Sequence, residues 1–400
     1  MLPFLQFILV VFIIIVAAKV GGYLSVRLGQ PAVVGEVLAG LILGPSVLNF
    51  LHWPVFSDEH LGETITLLAE LGVLLLLFIA GLNLHLSDLP KSGKTAVLAG
   101  SLGFILTLSM GYILAKIFSY ETHQALFIGL ILAPTSIGIT AQTLMELKML
   151  RSKVGTTLLG TAAIDDILGV LGVSLFLALI LGEVTSGLTG VLVILLRMIL
   201  YLAVASAIGF WLLPKLAQIT EKLPISQGLI AFTFVTVLLY AWSAEVVGHL
   251  AAIIGAFLAG IFLSRSSLMV KINEEFSPIA FGVFVPIFFV NVGLSANVRQ
   301  ISLEGLFLLA GMTVVVIVSK LIGAGIGGRF GGMTNRESLQ LGVGMIPRGE
   351  VVLIIATVGI TEGLISAGVF SAVVVLVILT TLITPPILRG SFFWQKSNRR

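Results

Sequence analysis

The sequence predicts an all-α polytopic membrane protein of about 13 transmembrane helices, arranged as inverted repeats with two discontinuous helices. Three observations predict it. Of 400 residues, 58% are hydrophobic and only 10% are charged, against about 25% charged in a soluble domain, and the mean hydropathy is +1.16. The apolar residues come in runs of about 20, the length that crosses a bilayer as helix. Basic residues collect on alternate connections, as cytoplasmic loops require.

The runs and their polar breaks place spans near 4–26, 31–50, 62–86, 94–118, 124–147, 155–181, 187–214, 226–243, 246–264, 278–297, 304–327, 338–360 and 364–389. The first stretch lacks a basic n-region and a small-residue cleavage site, so it reads as a retained helix. Connections are short, and a brief basic tail, 390–400, follows the last span; no appended regulatory domain is expected. With the N-terminus outside, the inward loops hold Arg27, Lys91, Lys94, Lys148, Arg151, Lys153, Lys215, Lys222, Arg265, Lys271, Arg329, Arg336, Arg389, Lys396, Arg399 and Arg400, leaving only Lys116 and Arg299 outward. A single miscounted helix would scramble that asymmetry, so it supports the count and puts the C-terminus in the cytoplasm.

The net charge of +3 therefore belongs to membrane orientation, and no nucleic-acid partner is expected. Without cysteine, disulfides, thiol catalysis and thiolate metal sites are excluded. The histidines form no metal-binding spacing, and no nucleophile–base set or phosphate loop stands out. Neither an enzyme nor a resident cofactor is expected.

Charges inside spans cost about 2.5–3.5 kcal/mol each near a helix centre, so they mark function or pairing. The sharpest case is Asp165-Asp166, within Thr161-Ala-Ala-Ile-Asp-Asp-Ile-Leu-Gly169 of the sixth span. Adjacent helical residues point about 100° apart, so one carboxylate can face a solvated cavity while the other meets a partner. Lys320, mid-span in the eleventh helix, is the candidate partner, too deep to snorkel easily; a permanent structural pair is the alternative. Glu70 in the third span is expected to join Arg348 and Glu350 of the twelfth in a structural ion network. Glu36, Glu245, Lys19 and Arg197 read as interfacial or scaffold charges.

Two spans are interrupted. The fifth contains Ala133-Pro-Thr-Ser-Ile-Gly-Ile-Thr140, and the twelfth contains Gly344-Met-Ile-Pro-Arg-Gly-Glu350. Proline and glycine favour unwound backbone whose freed groups can take polar ligands. The two segments stand seven positions apart in the order of spans, so they run in opposite directions. Paired breaks of that kind are typical of the inverted repeats of secondary transporters.

These residues resemble a known family. Gln30-Pro31 through Pro45, the broken fifth span, the Asp165-Asp166 segment, Val318-Ser-Lys-Leu-Ile-Gly-Ala324 and Gly344-Met-Ile-Pro-Arg-Gly-Glu350 resemble bacterial NapA-type Na+/H+ antiporters, in the second branch of the monovalent cation:proton antiporter superfamily. The resemblance runs from about residue 5 to 388. It implies a homodimer in the bacterial cell membrane, with a dimerisation part near 4–50 and 187–264. It also implies a mobile core near 62–181 and 278–360 in which the broken helices cross.

The resemblance further implies that Na+, and also Li+, is exchanged for protons at Asp166, with Thr135 and Ser136 offering oxygens and Lys320 bridged to Asp165. Elevator-type alternating access, electrogenic exchange and a role in pH homeostasis and salt tolerance follow from the same likeness. Asn83 departs from the pattern, since relatives often carry an acid there. A K+/H+ antiporter on the same scaffold is the nearest alternative. A gated cation channel or sensor would need a continuous polar stripe along several helices. A Na+-coupled symporter of an organic anion would need spare positive charge.

Overall fold

The structure, a computed structural model, describes residues 2–58, 60–83, 89–136, 140, 143–144, 147–149, 152–180, 187–248 and 250–397. Every regular element among them is helical: α1 (Pro3–Arg27), α2 (Ala32–Leu43), α3 (Leu61–Leu82), α4 (Leu89–Ile117), α5 (Thr122–Leu132), α6 (Lys153–Ile180), α7 (Gly187–Trp211) and α8 (Leu213–Lys222). There follow α9 (Gly228–Val246), α10 (Ala252–Leu263), α11 (Met269–Ile279), α12 (Val285–Ser295), α13 (Leu303–Phe330), α14 (Asn335–Gly344), α15 (Glu350–Thr361) and α16 (Ala367–Ser397). Among the described residues, 9 helical stretches are long and apolar enough to span a bilayer, and four shorter apolar helices fall at the remaining expected spans. The thirteen expected spans thus each meet a helix.

Some boundaries differ from the expectation. The tenth span begins at Met269, because α11 continues through a π-helical stretch, Ala280–Phe284, into α12. Its first turns are polar and lie beyond the apolar run that hydropathy detects. The last helix runs on to Ser397 through Pro385 and Pro386, so the expected tail from 390 is helical as far as that residue. Two prolines read as a stop in a sequence, yet intramembrane helices accommodate them where neighbouring groups satisfy the freed carbonyls. Residues 187–211 end at a turn, and α8 continues beyond it as an amphipathic helix.

The chain divides into two compact units. The first comprises Met1–Ile15, Val55–His85 and Val170–Asn291. In it α3 and α10 pack backbone to backbone: a Cβ at Gly81 would collide with the Phe257 carbonyl, and one at Gly260 with the Phe78 carbonyl. Close approach through small residues is how helices associate where lipid supplies no hydrophobic drive. Arg197 donates from Nε to the Val247 carbonyl at 2.7 Å and from Nη2 to the Val246 carbonyl at 3.3 Å, capping the end of α9.

The second unit comprises Val16–Pro54, Leu86–Gly169 and Val292–Arg400. Its spine is the pairing of α4 with α13. A Cβ at Gly323 would lie 2.8 Å from the Gly103 Cα, and Gly327 and Gly331 abut Ala99 and Thr95 in the same way. Small residues four apart on α13 therefore form a flat stripe along α4. Gly93, at φ +50°, kinks the start of α4, so the membrane-length part begins there.

Candidate ion-binding site

The second unit carries the two breaks and the charges the sequence singled out, apart from Glu70, Arg197 and Glu245. α5 ends at Leu132 and α14 at Gly344, and between α14 and α15 the backbone is non-helical over 346–349. The two interruptions bind each other. Ser136 N donates to the Pro347 carbonyl at 2.9 Å, Thr135 Oγ1 to the Met345 carbonyl at 3.1 Å, and Thr140 Oγ1 to the Gly344 carbonyl at 2.6 Å. Carbonyls freed at the end of one half-helix are thus satisfied by donors from the other break, as buried backbone demands. Gly349 permits the approach: a Cβ there would lie 2.6 Å from Ser136 Cβ and Oγ. Ile137–Ile139 lie outside the described residues.

Helix α6 brings the paired carboxylates to this crossing. A Cβ at Gly169 would lie 2.6 Å from Pro134 Cγ, so α6 packs on the break at that position. Gly169 lies one turn beyond the aspartate pair, four residues from Asp165 and three from Asp166. The break therefore packs on α6 one turn from both carboxylates. Asp166 is half-buried and Asp165 wholly buried.

Lys320 reaches Asp165 from α13. Its Nζ donates to both carboxylate oxygens at 2.8 Å, and both side chains are 0% exposed. Gly103 leaves room for the lysine stem, whose Cδ would stand 3.5 Å from a Cβ at that position. Next to Lys320, Ser319 Oγ shares a 2.8 Å hydrogen bond with Thr107 Oγ1 of α4. A buried charge pair needs such complete geometry, because desolvation offsets most of the Coulomb gain.

Arg348 is also fully buried. Its Nη1 donates to Thr135 Oγ1 at 3.2 Å and to the carbonyls of Met345 and Ile346 at 3.1 Å. Its own backbone is clamped by α16: Arg348 N donates to Thr380 Oγ1 at 3.1 Å, and Thr381 Oγ1 donates to the Arg348 carbonyl at 3.0 Å. A cation at the C-terminal carbonyls of α14 complements the half-helix dipole. The described hydrogen-bond partners of Arg348 are all neutral oxygens, whereas the sequence reading expected a carboxylate network. Of that network, Glu70 is exposed on α3 in the first unit, and the Glu350 side chain lies outside the described residues.

Asp165, Asp166, Thr135, Ser136, Lys320 and Arg348 are thus gathered around one crossing. Sequence reasoning missed Thr380 and Thr381 and the Thr107–Ser319 pair. A visible signal was present in Thr380-Thr381-Leu-Ile-Thr384, hydroxyls clustered in an otherwise apolar span. Carboxylates, hydroxyls and a cation held at a break between half-helices can bind a small cation and trade it against protons.

Comparison with known proteins agrees with this architecture. The chain is 36% identical over 387 residues to the Na(+)/H(+)-K(+) antiporter GerN of Bacillus cereus, covering 97% of this chain and 96% of that one. It is 35% identical over 392 residues to a Na(+)/H(+) antiporter of Enterococcus hirae, covering 98% and 99%. The solved structure of the sodium proton antiporter MjNhaP1 from Methanocaldococcus jannaschii superposes with a TM-score of 0.68 over 97% of each chain at 18% identity, a likeness of fold. Residues 11–394 match the family described as sodium/hydrogen exchanger, transmembrane, and with the crossed breaks and the buried charges in place, the chain belongs to that family.

Proposed function

We propose that this protein is a secondary antiporter exchanging Na+ for protons, with Asp166 as the cation and proton carrier. The observation that carries the reading is the buried Lys320–Asp165 pair, set beside Asp166 on a helix that packs against the crossed breaks. In the proton-loaded form Asp166 is neutral and Lys320 is bridged to Asp165. Na+ displaces the Asp166 proton and draws on oxygens of Thr135 and Ser136. The same cation competes with the ammonium for Asp165, so the bridge opens and Lys320 gives up a second proton. Two protons leave for one cation, and net charge moves.

The finer reading follows the NapA-type resemblance: a homodimer in the bacterial cell membrane, N-terminus outside, carrying Li+ as well as Na+. A core near 62–181 and 278–360 would move as an elevator against a scaffold near 4–50 and 187–264. The relative named for both Na+ and K+ makes K+ a cation to include in the test.

The test uses protein reconstituted in vesicles with an acid interior and a trapped pH dye. Adding Na+, Li+, K+ or Rb+ outside is expected to alkalinise the interior with Na+ and Li+, and Asp166→Asn to abolish the signal while expression and oligomeric state are kept. An amide cannot release a proton to receive a cation. Wild-type exchange in the purified Asp166→Asn protein refutes the assignment, and a response to K+ without Na+ moves it to the K+/H+ alternative.

A further inference from the structure

Among the described residues, many buried helical hydroxyls turn back onto the carbonyl four residues earlier, although Ser338 Oγ is unpartnered and Thr381 bonds the Arg348 carbonyl. Thr107 does so to Gly103, Ser174 to Val170, Thr233 to Leu229, Thr380 to Leu376 and Thr384 to Thr380, at 2.7–3.1 Å. Such back-bonding commits the hydroxyl hydrogen to the helix. Thr161 departs from the habit. It is 0% exposed, and its Oγ1 has no hydrogen-bond partner among the described residues. A buried hydroxyl without a partner is costly, so its presence wants a reason.

Thr161 stands four residues before Asp165, on the same face of α6 and one turn nearer the Lys153 end. Side chains lean toward the N-terminus of their helix, so the Asp165 carboxylate overlies the turn that carries Thr161. Both of its oxygens are engaged by Lys320. Threonine divides between two χ1 rotamers in helices, so its hydroxyl can change direction without a backbone movement.

We propose that Thr161 is the replacement hydrogen-bond donor to Asp165, engaged when Lys320 leaves the carboxylate. This rests on the exchange reading above, in which the bridge opens as the cation binds. An ionised carboxylate that loses the buried ammonium bonded to both its oxygens is strongly destabilised, and a hydroxyl one turn away restores part of the loss. Thr161 is in this sense a positioning residue: it sets how readily the bridge opens and touches neither cation nor substrate proton.

The experiment compares thermal unfolding midpoints of four purified proteins in Na+-free buffer: wild type, Thr161→Val, Lys320→Met and the double variant. Thr161→Val alone is expected to move the midpoint by about 1 °C or less, since Lys320 already satisfies the carboxylate. In the Lys320→Met background the same change is expected to lower it by a further 3 °C or so, the shift of a lost hydrogen bond to a charged group. Equal shifts in both backgrounds overturn the proposal, because the hydroxyl then serves packing alone.

Should Lys320→Met not fold, the Na+-induced rise in midpoint replaces the cycle. It is expected to be smaller in Thr161→Val than in wild type and restored in Thr161→Ser; the same rise in all three overturns the proposal. Melting and transport keep the two readings apart. Coupling in the cycle without vesicle exchange removes the exchange reading alone, and exchange without coupling removes Thr161 alone.

Discussion

Two neighbouring carboxylates meet unlike surroundings because a helix turns about 100° per residue. Asp165 faces α13 and is bridged to Lys320 through both oxygens. Asp166, one turn before the residue that meets Pro134, keeps partial exposure. The first is suited to holding a charge and the second to exchanging one. Charge balance makes the lysine decisive for electrogenicity: if its proton leaves with that of Asp166, one net charge crosses per cycle. Moving one charge across 100 mV is worth about 2.3 kcal/mol, so an imposed potential is expected to change the wild-type Na+/H+ rate. Lys320→Gln is expected to lose that voltage response even where some exchange survives. Vesicles clamped with valinomycin measure it, and a wild-type rate indifferent to potential makes the stoichiometry one to one and the lysine a scaffold residue.

At the scale of elements, the crossing depends on backbone proximity that only glycine allows. Gly349 has a negative φ of −155°, outside the left-handed region, and what it visibly requires is space beside Ser136. Gly349→Val is expected to separate the two breaks, lowering stability by about 1–3 kcal/mol as overpacked cores do and abolishing exchange. Gly368→Ala at the start of α16, where a Cβ would meet nothing closer than 3.8 Å, is the neutral control. Thermal unfolding and vesicle transport check both. Unchanged melting of Gly349→Val would mean that the half-helices tolerate separation and that Arg348 and Thr380 hold α15 by themselves.

For the molecule as a whole, orientation is the property most directly open to measurement, because the native chain has no cysteine. Single cysteines can therefore be introduced without removing others. Gln300 precedes α13 and Ser267 precedes α11; both are exposed. With the N-terminus outside, Gln300→Cys is expected to react in intact cells with a membrane-impermeant maleimide, and Ser267→Cys only after permeabilisation. The reverse pattern would overturn the orientation deduced from the basic loops, and labelling of both from outside would overturn the span count between them.

The sequence by itself determined the membrane class, the number of spans and the residues worth attention. Each of these is carried by local chemistry: an apolar run of about 20 residues has one stable use, and an aspartate or lysine in its middle is conspicuous by its cost. The Asp165–Lys320 pairing was legible because two opposite mid-span charges have few other ways to be neutralised. The partners of Arg348 were not legible. A guanidinium can be satisfied by carboxylates or by carbonyls, and carbonyls become available only where a helix ends. Which carbonyls those are depends on how Thr135 and Ser136 meet Met345 and Pro347 across more than 200 residues of chain. Nor does sequence spacing reveal that Thr161 fails to bond its own helix where buried hydroxyls such as Thr107, Thr233 and Thr384 do so. Rotamer choice of that kind is decided by packing around the side chain, and so by the tertiary structure alone.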